Sequence, residues 1–412
     1  MKQRYDSYKS SGIDWIGEIP SHWELLRMRF LCDMITGDKD TVNKVDDGNY
    51  PFYVRSPQIE RINSYSFDGE AVLMAGDGVG AGKVVHYTNG KFDFHQRVYN
   101  FHNFKGIKGI LLYYYLKTLF KYKIEEGGAK NTVDSVRQPW LKDFPICVPP
   151  LAEQEAIAAW LDEKCGEIDA AIAKVDRELE LIDELKQSEI SRVVTRGLDP
   201  TAPLRPSGID WIGEIPEHWR ICLVKHKYSI QTGFTPATKI KEYYDAENGF
   251  IWITIGDMKD NVISDSVNKV SSKYIEEFKP QKTPKGSLLY SFKLSVGQVA
   301  FAGVDLYTNE AIASFLQSKS VNLNFLKYSS SLIINNANIN IYGAPIMNQE
   351  LIKNAPIVFP PLKEQEEIAA YLDKKCADID GLKAKLVKKR ATLKELRQAI
   401  ISEVVTGKRK VI

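Results

Sequence analysis

The chain has 412 residues, of which 44% are hydrophobic and 11% aromatic, and this length is typical of two or three globular domains. Its formal net charge is only +2, so any surface that binds nucleic acid must be local or be completed by partners. No apolar run approaches the roughly 18 residues of a membrane span, which argues against an integral membrane protein.

The cysteines and the N-terminus both favour a reducing compartment. Five cysteines are scattered along the chain without a Cys-x-x-Cys pair, so we expect neither a disulfide framework nor a zinc or other metal site. The N-terminus is polar at Lys2, Gln3 and Arg4 and lacks the apolar core of a signal peptide, so we expect a cytoplasmic protein.

The first notable stretch in chain order is a ten-residue mark that occurs twice. Residues 11–20 read SGIDWIGEIP, and residues 207–216 repeat all ten. Such identity predicts an internal duplication. A histidine and a tryptophan follow each copy, and we interpret the histidines as packing or capping residues rather than catalytic groups. These residues are His22, Trp23, His218 and Trp219.

Each mark leads into a divergent segment that we predict to be mixed α/β with many short strands. The strand candidates are Glu70–Ala75, Lys83–Tyr87, Ser287–Ser291 and Gln298–Phe301. The polar stretches that correspond between halves are 55–59 with 254–258, and 95–101 with 309–315. Apolar positions are kept while polar positions change, which predicts one scaffold that reads two different targets.

A glycine-rich turn at residues 76–82 resembles a nucleotide-binding loop without meeting its requirements. A Walker loop needs glycine where Asp77 stands and serine or threonine where Val84 stands, and a dinucleotide site needs a helix after the glycines. The β-branched Val84 and Val85 follow instead, so we predict a hairpin turn. Zinc-protease, nucleophile-elbow and adenine-methyltransferase motifs are also missing, and we expect no catalytic residue in this chain.

The longest predicted elements are two helices that repeat each other. Pro149 opens PPLAEQEAIAAWLDEKCGEID, and Pro360 opens PPLKEQEEIAAYLDKKCADID. Proline suits a helix start, and the glutamates of the first turn suit the positive end of the helix dipole. Apolar residues then recur at alternating steps of four and three, which is the spacing of a coiled-coil seam, although the second seam is interrupted near Arg390.

We expect the two seams to pair with each other in antiparallel order, with Leu161 near Leu396 to Ile400. The alternative is a pair of amphipathic helices in two separate cores. The residues expected to pair are Leu161, Cys165, Ile168, Ile172, Val175, Leu179, Leu372, Cys376, Ile379, Leu386, Leu393 and Leu396. Ile182, Ile368, Leu382 and Ile400 complete the two seams.

The order of these parts resembles the specificity subunit of type I restriction–modification systems. The carrying residues are the PPLxEQE runs at Pro149 and Pro360, the GIDWIGEIP marks at Gly12 and Gly208, and the helix ends at Val193 and Val404. The resemblance covers essentially the whole chain. It implies two target-recognition domains, each reading one half of a split site in double-stranded DNA, with two conserved antiparallel helices as a spacer.

The resemblance also implies partners and cofactors. Two modification subunits would dock on the helices, bind S-adenosylmethionine and methylate adenine, and restriction subunits that use ATP and magnesium can join them. This chain itself would bind no cofactor and catalyse no reaction.

The predicted architecture is therefore α/β (α+β), a pseudo-twofold tandem repeat of two recognition domains joined by two long antiparallel coiled-coil helices. The expected parts are a first recognition domain at 1–148, a central helix at 149–197, a second recognition domain at 198–359 and a C-terminal helix at 360–412.

Candidates for reading bases are side chains rich in hydrogen-bond donors and acceptors near the predicted strand ends, since sequence is read at base edges. In the first domain these are Arg55, Gln58, Arg61, His95, Gln96 and Arg97. In the second they are Thr254, Asp257, Lys259, Lys293, Thr308 and Asn309. For each of them, the alternative is a solvated loop side chain.

Three classes of function can be compared for a chain of this organisation. A DNA-reading subunit of a larger enzyme agrees with every feature. A self-contained methyltransferase or nuclease would need a cofactor or metal motif of its own. A coiled-coil scaffold, or a DNA-binding protein without a methyltransferase partner, is the remaining alternative, although a scaffold has no need of two differently decorated copies of one domain.

Overall fold

The longest elements of the protein are two helices, Leu151–Arg196 and Leu362–Val405, which we call the central helix and the C-terminal helix. The computed structural model describes residues 3–126, 135–293, 295–340 and 343–411. Both helices begin after a proline pair and carry a glutamate in the first turn, so the two predicted helices are confirmed.

The chain packs into two units, residues 1–177 with 386–412, and residues 178–385. The strands of the first unit are β1 (Tyr8–Ser10), β2 (Glu18–Pro20), β3 (Glu24–Arg27), β4 (Asp33–Thr36), β5 (Tyr50–Tyr53), β6 (Glu60–Ile62), β7 (Phe67–Ala75), β8 (Val85–Phe94), β9 (Val98–His102) and β10 (Pro145–Val148). Its helices are α1 (Gly109–Glu126), α2 (Gln138–Lys142) and the first part of the central helix, α3.

A six-stranded sheet in the order β4-β9-β7-β8-β5-β6 forms the middle of the first unit. Strands β7 and β8 are antiparallel and joined by the glycine-rich turn, which confirms the predicted hairpin, although β8 begins two residues later than expected. The second half of β7, Ala71 to Ala75, is buried on both faces because apolar residues pack against each of them. Val72 and Met74 pack with Leu112 of α1, and Leu73 packs with Phe94 on the opposite face.

The second unit contains fourteen strands among the residues that the structure describes there. They are β11 (Leu204–Pro206), β12 (Glu214–Pro216), β13 (Arg220–Leu223), β14 (Ile230–Thr232), β15 (Phe250–Ile253), β16 (Val262–Ile263), β17 (Lys269–Val270), β18 (Leu288–Ser291), β19 (Val299–Ala302), β20 (Tyr307–Thr308), β21 (Ile312–Phe315), β22 (Asn338–Ile339), β23 (Pro345–Ile346) and β24 (Pro356–Phe359). The helices are α4 (Ser272–Phe278), α5 (Leu323–Ser329), α6 (Gln349–Lys353) and the first part of the C-terminal helix, α7.

The two units share one framework. The last three residues of the mark form β2 in the first unit and β12 in the second, each paired with the strand just before the mark, β1 or β11. The pairs β3-β10 and β13-β24 also correspond. The antiparallel order β4-β9-β7-β8 returns as β14-β21-β18-β19. The expected tandem repeat of mixed helix and strand is therefore confirmed. The units differ outside this shared order, since β5 and β6 extend the sheet of the first unit whereas β16 follows β19 in the second.

The repeated motifs meet at the start of each long helix. Glu153, in the first turn of the central helix, accepts hydrogen bonds from Nε1 of Trp23 at 3.0 Å and Nε2 of His22 at 2.6 Å. Glu364 accepts the corresponding bond from Trp219 at 2.8 Å. The histidines that follow the two marks are therefore structural partners of a helix start, which agrees with the expected packing or capping role.

A buried glutamine forms hydrogen bonds between the start of each long helix and neighbouring backbone of the same unit. The side chain of Gln154 donates to the carbonyl of Pro149 and accepts from the backbone N–H of Lys108, both at 2.8 Å. Gln365 makes the same bond to the carbonyl of Pro360 at 2.8 Å. Both glutamines are fully buried, so these bonds satisfy groups that would be costly to leave unpaired.

In the first unit, ion pairs in antiparallel order connect the two long helices. Asp169 pairs with Arg397 at 2.9 Å, and Asp176 pairs with Arg390 at 2.6 Å. From the first pair to the second, the aspartate lies seven residues later in the central helix and the arginine seven residues earlier in the C-terminal helix. This is the order found in an antiparallel coiled coil. The apolar residues packed together at this end are Leu161, Cys165, Ile400, Ile401, Val404 and Val405. Leu161 was expected near Leu396 to Ile400, so its partners on the C-terminal helix lie slightly closer to the end of that helix than expected.

The second unit contains the same kind of pairing. Asp183 pairs with Lys383 at 2.6 Å, and Lys186 pairs with Asp380 at 2.7 Å, again in antiparallel order. The apolar residues packed at this end are Val193, Val194, Ile368, Leu372 and Cys376.

Basic residues occupy part of the second seam where leucines were expected. Leu382 and Leu396 are 50% and 45% exposed, whereas the next residues, Lys383 and Arg397, pair with the central helix. Lysine and arginine can pack their alkyl stems along a seam while the charged head binds an acid, so the apparent interruption at Arg390 is an ion-pair position. The other expected pairing residues are buried or half-buried, namely Leu161, Cys165, Ile168, Ile172, Val175, Leu179, Leu372, Cys376, Ile379, Leu386 and Leu393.

Glu189 of the central helix is expected to make the stability of the helix contact in the second unit depend on pH. Hydrogen bonds from Arg192 at 2.9 Å and from the Tyr371 hydroxyl at 2.7 Å lower the pKa of Glu189 to about 2. A lowered pKa adds stability above the unfolded value of about 4.3, and that stability is lost as the pH falls through the folded value. We expect Glu189→Gln to lower the free energy of unfolding at neutral pH by on the order of 1 kcal/mol.

Urea unfolding of both proteins between about pH 7 and pH 2 tests this expectation, because the difference between them should shrink below about pH 4.3. Glu184→Gln removes an exposed carboxylate from the same helix and is the matched control. A difference between Glu189→Gln and the wild type that stays constant with pH would contradict the assignment.

Candidate nucleic-acid interface

Two arginines and an aspartate meet where the glycine-rich turn passes the end of β5. Oδ1 of Asp77 accepts a hydrogen bond from Nη1 of Arg55 at 3.1 Å, and Oδ2 lies 3.6 Å from Nε of Arg97. The side chains of Arg55 and Arg97 are 44% and 65% exposed, against 23% for Asp77. One carboxylate thus lies between two exposed guanidinium groups, each able to donate to guanine or phosphate.

The glycines of the turn make this close approach possible. A side chain at Gly76 would come within 2.9 Å of the carbonyl oxygen of Arg97, and one at Gly80 within 2.3 Å of that of Arg55. The N–H of Gly76 donates to the Arg97 carbonyl at 2.7 Å. The turn that imitates a nucleotide-binding loop therefore holds Asp77 against the arginines.

His95 is buried beside these residues. Its backbone N–H donates to the carbonyl of Tyr53, and its Nδ1 accepts from the N–H of Arg97, both at 2.9 Å. Since Nδ1 is an acceptor, the proton of a neutral ring lies on Nε2, which is 3.8 Å from the carboxylate of Asp40. Burial and then the charge of Arg55 lower the pKa of His95, which keeps the ring neutral at neutral pH.

The remaining candidates of the first unit divide into two groups. Gln96 donates from Nε2 to Asp40 at 2.9 Å and so joins the arginines and His95. Arg61 instead binds two backbone carbonyls of the loop before β5, and Gln58 is exposed in the turn between β5 and β6. We call the grouped residues the N-terminal cluster, which comprises Asp40, Arg55, Asp77, His95, Gln96 and Arg97.

In the second unit, the candidates gather at the ends of β15 and β20. Thr308 lies opposite Ile253 in the parallel pair of strands, and the N–H of Asn309 donates to the Ile253 carbonyl at 2.8 Å. The hydroxyl of Thr254 donates to Asp257 at 2.7 Å, which closes a short turn.

A lysine approaches the same place from the turn after β18. Nζ of Lys293 lies 3.3 Å from Oε1 of Glu310, and the hydroxyl of Thr235 donates to the other oxygen of that carboxylate. Lys259 is exposed on the loop after Asp257. We call this group the C-terminal cluster, which comprises Thr235, Thr254, Asp257, Lys293, Thr308, Asn309 and Glu310.

The two clusters occupy equivalent places in the shared framework. His95 and Asn309 each follow a strand and each donate a backbone N–H to a parallel neighbour, Tyr53 in one case and Ile253 in the other. The expected correspondence of these two residues is therefore confirmed.

The expected alignment of Arg55 with Thr254 is wrong by one residue. Thr254 directly follows Ile253, so its equivalent directly follows Tyr53 and is Val54. A match of polar patterns does not define register, because only the strand ladder determines which residues face each other.

Sequence reasoning found Asp257 but missed the other three acidic members of the two clusters and the hydroxyl beside one of them. These residues are Asp40, Asp77, Thr235 and Glu310. Asp40, Asp77 and Glu310 do not stand out in the sequence, because a carboxylate by itself would repel the phosphates of DNA. A usable signal exists for Asp77, since a charged residue between two glycines in a tight turn has little packing role.

Metal sites and membrane-spanning helices were also considered. Within the described ranges, no three His, Cys, Asp or Glu side chains are grouped so as to hold a metal ion. No helix in the described part of the chain is long and apolar enough to cross a membrane.

Comparison with known proteins gives consistent results over most of the chain. The profile of the family described as Type I restriction modification DNA specificity domain matches residues 20–178 and 226–388. The type I restriction enzyme EcoDI specificity subunit of Escherichia coli is 24% identical over 95% of this chain and 89% of its own length. The putative type I restriction enzyme MjaX specificity subunit of Methanocaldococcus jannaschii is 25% identical over 95% of both chains.

Two solved structures share the fold. One, from work on complex assembly and conformational transition of the type I R-M system, has a TM-score of 0.71 and 17% identity, covering 94% of this chain and 98% of that one. The HsdS subunit of Thermoanaerobacter tengcongensis has a TM-score of 0.53 and 17% identity, covering 97% and 99% of the two chains.

Proposed function

Since the chain belongs to the family of type I restriction–modification DNA specificity subunits, we propose that each of its two polar clusters reads one half of a split DNA site. The role that the family gives is DNA sequence recognition within a multi-subunit type I system, in which this chain is not a catalytic subunit. The assignment of a half-site to each cluster rests on the geometry described above.

The observation that carries the proposal is the equivalent placement of two chemically different clusters. The N-terminal cluster offers two guanidinium groups and an amide, supported by a buried neutral imidazole, whereas the C-terminal cluster offers an ammonium group, hydroxyls and an amide. Arginine matches the acceptor pair of guanine, and asparagine matches the donor and acceptor of adenine. One scaffold with different side chains at the same place is suited to two half-sites of different sequence.

We assign the role of spacer to the two long helices, as an antiparallel coiled coil between the recognition domains. The support is the seven-residue spacing of Asp169, Asp176 and Asp183, each paired with a basic residue of the C-terminal helix. Coiled coils resist bending, so such a spacer would hold the distance between two half-sites constant.

In this proposal the catalytic chemistry lies in partner subunits of the cytoplasmic complex. Two modification subunits dock on the helices, bind S-adenosylmethionine and methylate adenine, and restriction subunits supply the steps that need ATP and magnesium. This chain contributes no cofactor site of its own.

Exchange of one segment tests the assignment of half-sites. Replacing residues 24–143 by the matching segment of a relative with another target is expected to change one half-site only, because the N-terminal cluster lies within that segment. The original half-site should lose at least about 1000-fold in preference. Sequencing of methylated DNA from cells that contain the hybrid and its modification partner measures the result.

The reciprocal exchange of residues 220–355 is the matched control and should change the other half-site. If both half-sites change together in either hybrid, the model of two independent readers is wrong.

A further inference from the structure

Each cluster contains a carboxylate placed against the cations that are expected to read DNA. Asp77 contacts Arg55 and Arg97, one through each oxygen. Glu310 contacts Lys293 through one oxygen and the Thr235 hydroxyl through the other. The position of each carboxylate is set by its backbone, because each acid lies in a stretch whose backbone is hydrogen-bonded to other residues of the cluster or to their neighbours.

The backbone around Asp77 is held from two sides. The N–H of Gly76 donates to the Arg97 carbonyl at 2.7 Å, and the N–H of Val136 donates to the carbonyl of Gly76 at 2.6 Å. Glu310 follows Asn309, whose N–H is bonded to the Ile253 carbonyl at 2.8 Å. The backbone that carries each acid is therefore held by bonds that do not involve the exposed basic side chains.

We propose that Asp77 and Glu310 are specificity-determining residues that act through the basic side chains beside them. They orient these side chains toward base edges and repel the phosphate backbone. This inference rests on the proposed function. It means that the two acidic residues increase the difference in affinity between the recognised site and non-specific DNA.

The physical reason lies in the different charge of the two DNA groups that an arginine can bind. A phosphate carries a full negative charge, so a phosphate bound to Arg55 or Arg97 would lie close to the carboxylate of Asp77 and be repelled by it. Guanine offers the neutral acceptors O6 and N7, which a nearby carboxylate repels far less. Repulsion of the wrong ligand is an established way to gain specificity without stronger contacts to the right one.

The carboxylate also reduces the cost of orientation. An exposed arginine loses side-chain freedom when it binds a base, and a partner that already restrains the guanidinium removes part of that loss before DNA arrives. The C-terminal cluster contains the same arrangement, because the Thr235 hydroxyl and Lys293 lower the pKa of Glu310 and keep it ionised beside the ammonium group.

The test uses the full chain in complex with its modification subunits, and Asp77→Asn as the variant. Asparagine keeps the size and one acceptor of the side chain but removes its charge. Binding to DNA with the recognised site and to random DNA is measured across a range of salt concentrations. Asp68→Asn is the matched control, since it removes an exposed charge from β7 of the same unit without contact to the arginines.

We expect Asp77→Asn to bind random DNA about tenfold more tightly and to bind the recognised site no more tightly than wild type, so the specificity ratio falls. The dependence of log K on log salt for random DNA should become steeper by about one phosphate contact. Substitutions in the half-site read by the first unit should become better tolerated, while the other half-site is read as before.

Glu310→Gln, with Glu276→Gln as its exposed control, should give the same result for the other half-site. It also keeps the inference testable if Asp77→Asn fails to fold. An unchanged specificity ratio and salt dependence in the folded variants would overturn the inference, and so would equal losses for both kinds of DNA. The proposed function fails separately, if the wild-type complex itself does not discriminate between the two DNAs.

Discussion

Trp23→Ala is expected to lower the free energy of unfolding of the first unit by about 3–5 kcal/mol. Trp23 is fully buried, its indole N–H donates to Glu153 at 3.0 Å, and its ring meets that of Tyr5 edge to face at 5.7 Å. Truncation would leave a cavity and would remove a donor from a carboxylate at the start of the central helix. The expected loss is large because one substitution removes both the packing of the indole ring and its hydrogen bond.

Urea unfolding followed by circular dichroism measures this loss in the full chain. Trp211→Ala is the matched control, because Trp211 belongs to the second copy of the mark but is 45% exposed, and we expect an effect of about 0.5 kcal/mol. Trp219→Ala, at the buried equivalent position, should destabilise the second unit as strongly as Trp23→Ala destabilises the first. A loss at Trp211 equal to that at Trp23 would contradict the argument from burial.

Gly37→Ala and Gly233→Ala are each expected to weaken recognition of one half-site at least about tenfold. A Cβ atom at Gly37 would lie 1.9 Å from the carbonyl oxygen of Phe94, and one at Gly233 would lie 1.7 Å from that of Thr308. Rotation of a side chain cannot relieve a clash with backbone atoms, so the strand ends must separate. Those strand ends lead directly into the two clusters, and their displacement misplaces the readout side chains.

The same substitutions should lower the free energy of unfolding by about 1–3 kcal/mol or more, as overpacking does. Gly166→Ala is the matched control, because it lies in the central helix with no atom within 4 Å of the added methyl group, and it should stabilise the helix by up to about 1 kcal/mol. Methylation profiles and DNA binding measure recognition. If Gly37→Ala retains wild-type preference at both half-sites, the first cluster is not where we place it.

The sequence by itself determined the duplication, the two long helices and the absence of recognisable catalytic motifs. Ten identical residues in two places cannot arise from general folding preferences, and a proline pair followed by a long run of three-four spacing has one local solution. The hairpin around the glycine-rich turn was also predictable, because the β-branched Val84 and Val85 disfavour the helix that a phosphate loop needs. All of these depend on neighbours in the chain.

The sequence also located most of one cluster. His95, Gln96 and Arg97 are adjacent, and Arg55 follows a strand that pairs with the strand before them, so a rule that favours donors at strand ends found all four. The same rule also selected Arg61, whose guanidinium instead binds backbone carbonyls of its own hairpin. Local composition does not distinguish a free donor from one already bonded.

Only the tertiary structure decided which charges meet. The pairing of Arg397 with Asp169, the place of Asp77 between two arginines, and the one-residue register that relates Thr254 to Val54 all join positions far apart in the chain. Each depends on the balance between burying an alkyl stem and keeping a charged head paired, and that balance is set by neighbours brought in from other elements. A pattern of apolar residues locates a seam, but only the folded chain shows that three of its positions are occupied by basic side chains.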